Sequence, residues 1–389
     1  MGSLKRPRDE KITSRKLTAT VTTNIPDDVL WDIFTRLPAK HLARMRCLSK
    51  PWNALLSQPS FIQAHLDRSI HNNDDKILFV FDYGYPSNTQ SFVTHPSRSS
   101  ILRLPNLVEL PDDILSCDLS EFIGSVNGLL CFSIDHSINI WNPSLSASTT
   151  FSSITSGFDD YDDYYDRHGT VFRFGFDPKN DDYKVVKLMY IHDEFEDIVK
   201  GSIKIEVYSL GKRCWESVNG FPSHITKIYD NDEICLDGHV YWRCEIDPNS
   251  LRETIVSFDL GLETFYEIPL PENTQGPDVE NLLGVTSNKL CLISRVPYGD
   301  CEVWVMDAKY NGWVKHQSFP QFDGDIIPIC FTPNNLFLFQ VDERLALYDP
   351  DAAAVKLLIS NIPHDNYKIV QYVDSLVWVP PAPKHVCHH

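Results

Sequence analysis

The densest run of ionisable side chains is Asp159, Asp160, Tyr161, Asp162, Asp163, Tyr164, Tyr165 and Asp166. Carboxylates interleaved with phenol rings suit a basic, partly apolar protein patch. They do not suit calcium, whose loop needs a glycine at the turn and a distal glutamate. An exposed insertion between structural units is the other reading, and both stay open. Asp193, Glu194, Phe195, Glu196 and Asp197 repeat the texture on a smaller scale, and the two runs are expected to flank one face of the fold. Catalytic patterns are missing: the 14 histidines include no H-E-x-x-H, and there is no glycine-rich phosphate loop. His385, Cys387, His388 and His389 carry metal-binding atoms but read as a frayed tail. The ten cysteines form no C-x-x-C, and the closest pairs are Cys235/Cys244 and Cys291/Cys301. Neither structural zinc nor a disulfide scaffold is expected, and the thiols should be reduced and buried. No cofactor, metal or catalytic residue is assigned.

The elements that position these side chains follow from composition and pattern. A hydrophobic content of 42% with 12% aromatics is enough for a large core, which excludes a disordered chain. The formal net charge of −18, from 53 acidic and 35 basic residues, argues against nucleic acid and anionic membrane surfaces and favours a basic protein partner. No apolar run approaches a membrane span, and the first residues have no apolar signal-peptide segment. A cytoplasmic or nuclear location is expected. Residues 1–24, which include the basic cluster Lys5-Arg6-Pro7-Arg8, read as a flexible tail, as do residues 381–389.

From Lys76 to residue 380, short apolar runs alternate with Gly, Pro, Asn and Asp turns, which reads as all-β. One element recurs, a polar turn leading into an apolar strand: Asn127-Gly128-Leu129, Asp182-Tyr183-Lys184, Gly238-His239-Val240, Asn288-Lys289-Leu290, Asn335-Leu336-Phe337 and Asp374-Ser375-Leu376. A second element follows the first five copies, an aromatic strand closing on a polar turn, as in Trp141-Asn142-Pro143 and Tyr348-Asp349-Pro350. The interval, roughly 40–56 residues, is near that of kelch-type propeller blades. The last copy lacks its second element. The strands Ile77–Phe81 and Ser91–Thr94 are therefore expected to join the C-terminal strands and close a ring of six blades, with Ile369, Val373, Leu376 and Trp378 in the core. An irregular pair of β-sandwiches is the alternative.

Residues 25–68 have a different texture. Pro26 with Asp27 and Asp28 opens a helix whose apolar positions are Val29, Leu30, Ile33, Phe34 and Leu37, and Pro38 stops it. A second helix is expected from Ala39 to Met45, a third capped by Ser49, and a last turn opened by Pro59. About 40 residues are too few to bury these apolar groups alone. They must pack either on a separate partner or on the chain's own β-region.

Ile25-Pro26, Asp28, Arg36-Leu37-Pro38, Leu42, Arg46-Cys47, Ser49-Lys50, Trp52 and Pro59-Phe61 resemble the F-box pattern along its whole length. The resemblance implies a three-helix-type module that docks on the Skp-type adaptor of a cullin-RING ubiquitin ligase. Transferred by position, the contact is Ile25, Pro26, Val29, Leu30, Ile33, Leu37 and Pro38, supported by Leu42, Cys47 and Trp52. Gly124–Leu129 with Trp141-Asn142-Pro143-Ser144, Phe174–Pro178 with Asp181–Val186, and Tyr372–Val377 are similar to the F-box-associated region of large plant F-box families, among them S-locus F-box-like and immune-regulating groups. Together the two resemblances imply a mainly β protein with a small N-terminal α module, acting as a non-catalytic substrate receptor. A non-degradative scaffold and a propeller hydrolase are the alternative functions.

Overall fold

A computed structural model of the chain describes residues 26–71, 76–82, 92–94, 101–103, 120–134, 136–154, 166–193, 198–231, 234–249, 251–295, 301–307, 309, 312–319, 326–332, 336–341, 344–360 and 367–379. Ile25, the acidic residues 159–165 and 194–197, and the two tails lie outside the described residues.

Four helices come first, one more than a three-helix module: α1 (Asp27–Thr35), α2 (Ala39–Leu48), α3 (Lys50–Leu56) and α4 (Pro59–His71). Proline or serine stands at each entrance, and none of α1, α2 and α3 has a local side-chain cap, so Ser49 stands at the start of α3 but its hydroxyl does not cap it as expected. α4 is a full helix of 13 residues rather than a single turn. Phe61, His65, Leu66 and Ser69 fall on one face and are buried, so packing extends what Pro59 begins.

The β-region begins with β1 (Lys76–Asp82), β2 (Phe92–Thr94) and β3 (Ile101–Arg103). Blade 1 is β4 (Ser120–Val126), β5 (Leu129–Ile134), β6 (Ser137–Asn142) and β7 (Ala147–Ser152). Blade 2 is β8 (Asp166–Asp177), β9 (Asp182–Asp193), β10 (Ile198–Ser209) and β11 (Cys214–Val218). Blade 3 opens with a divided strand, β12 (Lys227–Ile228) and β13 (Cys235–Leu236), both paired to β14 (His239–Asp247), and continues as β15 (Arg252–Asp259) and β16 (Thr264–Pro269). Blade 4 is β17 (Glu280–Thr286), β18 (Lys289–Arg295), β19 (Cys301–Asp307) and β20 (Gly312–Phe319). Blade 5 is β21 (Ile326–Phe331), β22 (Phe337–Val341), β23 (Arg344–Asp349) and β24 (Ala354–Ser360). β25 (Tyr367–Val373) pairs antiparallel with β1, from Lys76↔Val373 to Asp82↔Tyr367. Strands of neighbouring sheets lie side by side: β4 beside β8, β8 beside β13 and β14, β17 beside β21, and β25 beside β4. This is a β-propeller.

The expected count of six blades is corrected to five, each spun from one continuous run of chain. The remaining sheet, β25-β1-β2-β3, is a composite of the two ends of the region, and β2 and β3 have only three residues each. The expected closing pair of terminal strands is there. What differs is the chain after β25: β1 takes the position beside it, so residues 374–379 form no strand and leave the sheet. Trp378 is accordingly 61% exposed instead of buried, Val373 is half-buried, and the side chain of Ile369 lies outside the described residues. The buried residues of this stretch are Val370, Tyr372, Ser375, Leu376 and Val379.

The repeated sequence elements are turns with a physical reason. Asn127-Gly128, Asp237-Gly238 and Ser287-Asn288 all have positive φ at both positions, the geometry of a tight hairpin matched to strand twist. The polar residue closing each third strand accepts hydrogen bonds from the following turn. Asp259 Oδ1 takes Gly261 N at 2.8 Å, Asp349 Oδ1 takes Asp351 N at 2.9 Å, and Asn142 Oδ1 takes Leu145 N at 3.2 Å.

Apolar layers fill the spaces between blades. Phe151 stacks on Tyr208 at 3.8 Å between blades 1 and 2, and Val186, Leu188, Val207, Trp242, Val256 and Phe258 share the core of blades 2 and 3. Ionic groups are buried beside that second core. Lys184 Nζ donates to Asp177 Oδ2 at 3.1 Å, Glu263 Oε1 at 3.0 Å and the Leu260 carbonyl at 2.6 Å. The Arg173 guanidinium, buried, donates to the carbonyls of Tyr241 at 2.9 Å and Tyr229 at 3.1 Å, so it holds blade 3 where its first strand is divided. Among the described cysteines, all are free. Cys131, Cys244, Cys291 and Cys301 are buried as expected, whereas Cys47 and Cys214 are exposed.

Candidate functional site

The helical module has two apolar faces, and its sequence shows why. On α1, Leu30, Trp31 and Phe34 point into a core completed by Leu42, Leu56 and Phe61. Trp31 meets Phe61 edge-on at 5.0 Å, and Trp52 meets Phe34 at 6.0 Å. Val29 and Ile33, four residues apart on the same helix, are 44% and 42% exposed. Asp32 and Arg36 pair at 2.8 Å beside them in full solvent, a contact worth only a few tenths of a kcal/mol. On α2, Leu48 is 76% exposed at the end of the row Lys40, Arg44, Leu48.

The residues expected at the adaptor contact therefore divide. Pro26, Val29, Ile33, Pro38 and Cys47 are exposed, Leu30, Leu37 and Trp52 are half-buried in the module's core, and Leu42 is fully buried and unavailable to a partner. Leu48 was not expected. Its signal is an apolar residue in register with two cations at helical spacing, on the face away from Leu42.

The other face rests on the propeller. Leu376 and Leu145 join the same core as Phe34, Ala39, Leu56 and Phe61. Asp374 Oδ2 accepts the backbone N–H of Ala39 at 2.6 Å, at the N-terminus of α2 where Pro38 offers no cap. The opposite carboxylate oxygen accepts the Ser144 hydroxyl, and Tyr372 OH also meets Ser144. Burial, reinforced by the Asp374 charge, pushes the Tyr372 phenol far above its usual range. His65 Nε2 lies 3.0 Å from the Leu37 carbonyl and 4.0 Å from Asp374 Oδ2. Asn142 Nδ2 donates to the carbonyls of Ser375 and Val377 at 3.1 and 2.8 Å. Gly128 has φ +76°, and a Cβ there would sit 2.4 Å from Ser375 Cβ, so the segment after β25, a strap of residues 374–379, can pass only over glycine. A cleft of about 560 Å³ separates α4 from the turns of blade 2, with Tyr183 and Trp378 in its walls.

Topology then assigns the two ends of the ring. The turns β4–β5, β6–β7, β8–β9 and β10–β11 share the end that carries the helices. Strand β8 begins and β9 ends at the other end, where Asp166 pairs with Asp193. Asp166 and Asp193, the described residues of the two acidic runs, thus lie at one shared end, away from the helices.

The family described as "F-box associated beta propeller domain" matches residues 76–329, and that described as "F-box domain" matches 23–63. The chain belongs to the F-box proteins with an associated propeller. Relatives extend over most of the F-box protein's length. It is 25% identical to the F-box/kelch-repeat protein At3g23880 of Arabidopsis thaliana, covering 87% of this chain and 91% of that one. It is 29% identical to the F-box protein CPR1 of the same plant, over 75% and 72% of the two chains. Among solved structures, SapL1 lectin in complex with alpha methyl fucoside aligns at 12% identity and a TM-score of 0.40, over 74% of this chain and 94% of that chain.

Proposed function

We propose that this F-box protein is the substrate receptor of an SCF-type cullin-RING ubiquitin ligase. The α1–α2 surface docks on a Skp-type adaptor, which brings the cullin and RING subunit, and the propeller holds a protein substrate for ubiquitination and degradation. The observation that carries the reading is the outward pair Val29 and Ile33, left exposed by a module that has already packed its other face. The F-box spans residues 25–68 and the receptor domain 76–380, with the composite sheet beside blade 1. The receptor itself does no chemistry. It raises the effective concentration of a substrate lysine near the charged conjugating enzyme. Such a receptor works in the cytoplasm or nucleus, and no described helix is long and apolar enough to cross a membrane.

The substrate surface in this reading is the end of the ring away from the F-box. It includes the run Asp159–Asp166, whose charge suits a basic protein.

The test is adaptor binding by the full chain carrying Val29→Asp and Ile33→Asp. Each side chain is worth about 1.5–3 kcal/mol when buried, so affinity should fall at least about tenfold while the propeller melts as before. Undiminished adaptor binding by the double variant would sink the reading.

A further inference from the structure

We infer that Asp374 is a positioning residue, which fixes the angle at which the F-box presents its docking face relative to the blades. Three observations meet at this carboxylate. One oxygen caps α2 across 335 residues of sequence, and no local side chain does so. The other oxygen is held by Ser144 of the β6–β7 turn, whose backbone N–H also donates to Tyr372 OH at 3.0 Å. The residue follows directly on β25, the strand that pairs with β1. The carboxylate therefore ties three bodies together: the corner between α1 and α2, the first blade, and the composite sheet.

Apolar contact alone does not set this angle. Leu376 and Leu145 hold the F-box against the ring, but dispersion and burial are non-directional and tolerate sliding. The bonds at Asp374 are directional. A carboxylate at the positive end of α2 is also favoured electrostatically over any neutral replacement. Asn142 and Gly128 serve the same arrangement, the first by fixing the Ser375 and Val377 carbonyls, the second by letting the strap lie close. The bearing on ubiquitin transfer rests on the docking proposal above. The geometry does not, and is measured without an adaptor.

Cys47 on α2 and Cys214 on β11 are both exposed, so nitroxide labels on them report the separation of F-box and ring. Cys117 and Cys387, outside the described residues, are first replaced by serine in the full chain. Electron–electron double resonance should give one narrow distance distribution. Asp374→Ala should broaden it at temperatures where the blades remain folded, and the Ala39 amide should exchange about tenfold faster, as loss of a cap implies. Asp374→Asn keeps an oxygen for Ala39 and should stay narrow. Ser144→Ala, the milder variant, should broaden the distribution less and serves if Asp374→Ala does not fold. A narrow distribution in Asp374→Ala overturns the inference, even with faster exchange, because Asp374 would then be a helix cap only. A narrow distribution in Ser144→Ala overturns it equally. Melting alone is not the readout, since a purely stabilising role would lower it too.

Discussion

The joint between blades 2 and 3 is a wall, whereas the joint between the F-box and the ring is a strap. The wall shares a continuous apolar core and adds Lys184, Asp177, Glu263 and Arg173, all but Glu263 buried. The strap is a few residues, Asp374 to Val379, with Leu376 and one carboxylate making the main attachments. A charge removed from the wall leaves an unpaired ion in a dry place, so its cost is thermodynamic and global. A group removed from the strap should leave both bodies folded and change how they face each other. The comparison separates what makes this protein stable from what orients its F-box on the ring.

The largest effect should come from cutting the strap and its strand together. A chain ending at Ile362 loses β25, leaving β1 paired on one side only, with β2, and the F-box core without Leu376. Bare strand edges and an apolar face invite aggregation. Insolubility, or a sharply lowered melting temperature, is the expected outcome, and cooperative melting at the full-length temperature would refute it.

Lys184→Ala tests the wall. Asp177 is fully buried, and leaving its charge unmatched should destabilise the protein by about 3–5 kcal/mol in denaturant unfolding. Burial would raise the Asp177 carboxyl, but hydrogen bonds from the side chains of Asn180 and Lys184 outweigh it and hold it below its ordinary 3.8. A depressed carboxylate contributes stability above its unfolded pKa and loses it as pH falls through the folded value. Burial likewise opposes the Lys184 charge, yet its bonds to Glu263 and Asp177 raise it above 10.5. A raised lysine contributes fully below its unfolded pKa and loses the contribution as pH climbs through the folded one. The gap between wild type and variant should therefore be flat from about pH 5 to 10 and close as pH falls below about 4. A gap that persists at pH 2 would show that the pair does not act through charge.

Leu376→Ala is the milder test of the strap, expected to cost about 2–4 kcal/mol where the F-box packs. The loss should show as faster amide exchange in α2 and α4 and much less in blades 4 and 5. Uniform loss throughout would mean that the two bodies unfold as one.

How far these joints could be read from sequence depends on the range of the interactions. The helix entrances at Pro26, Pro38, Ser49 and Pro59 are local, and so are the Asn127-Gly128 turns and the Asx turns at Asp259 and Asp349. All were legible as punctuation. The strap was not, because the donor at Ala39 and the acceptor at Asp374 share no local pattern. Trp378 illustrates the failure: it continues the apolar alternation of β25, but the chain has left the sheet before reaching it. Leu42 and Leu48 show the complementary case. Both are leucines on one helix, and packing separates them: the first is buried in the module's core and the second is left exposed.

The pairing of β1 with β25 also sets a clock. About 300 residues separate α4 from β25, and at about 5–20 residues per second a ribosome needs about 15–60 s to cover them. Throughout that interval β1 lacks β25 on one of its edges, and the face of Phe61 and Ala39 that Leu376 will cover stays wet. The exposed pair on α1, Val29 and Ile33, needs no cover from the C-terminal segment and is available from the start. A nascent chain therefore exposes its first helix to the cell long before its ring can close, and chaperones that hold apolar surface have that window in which to act.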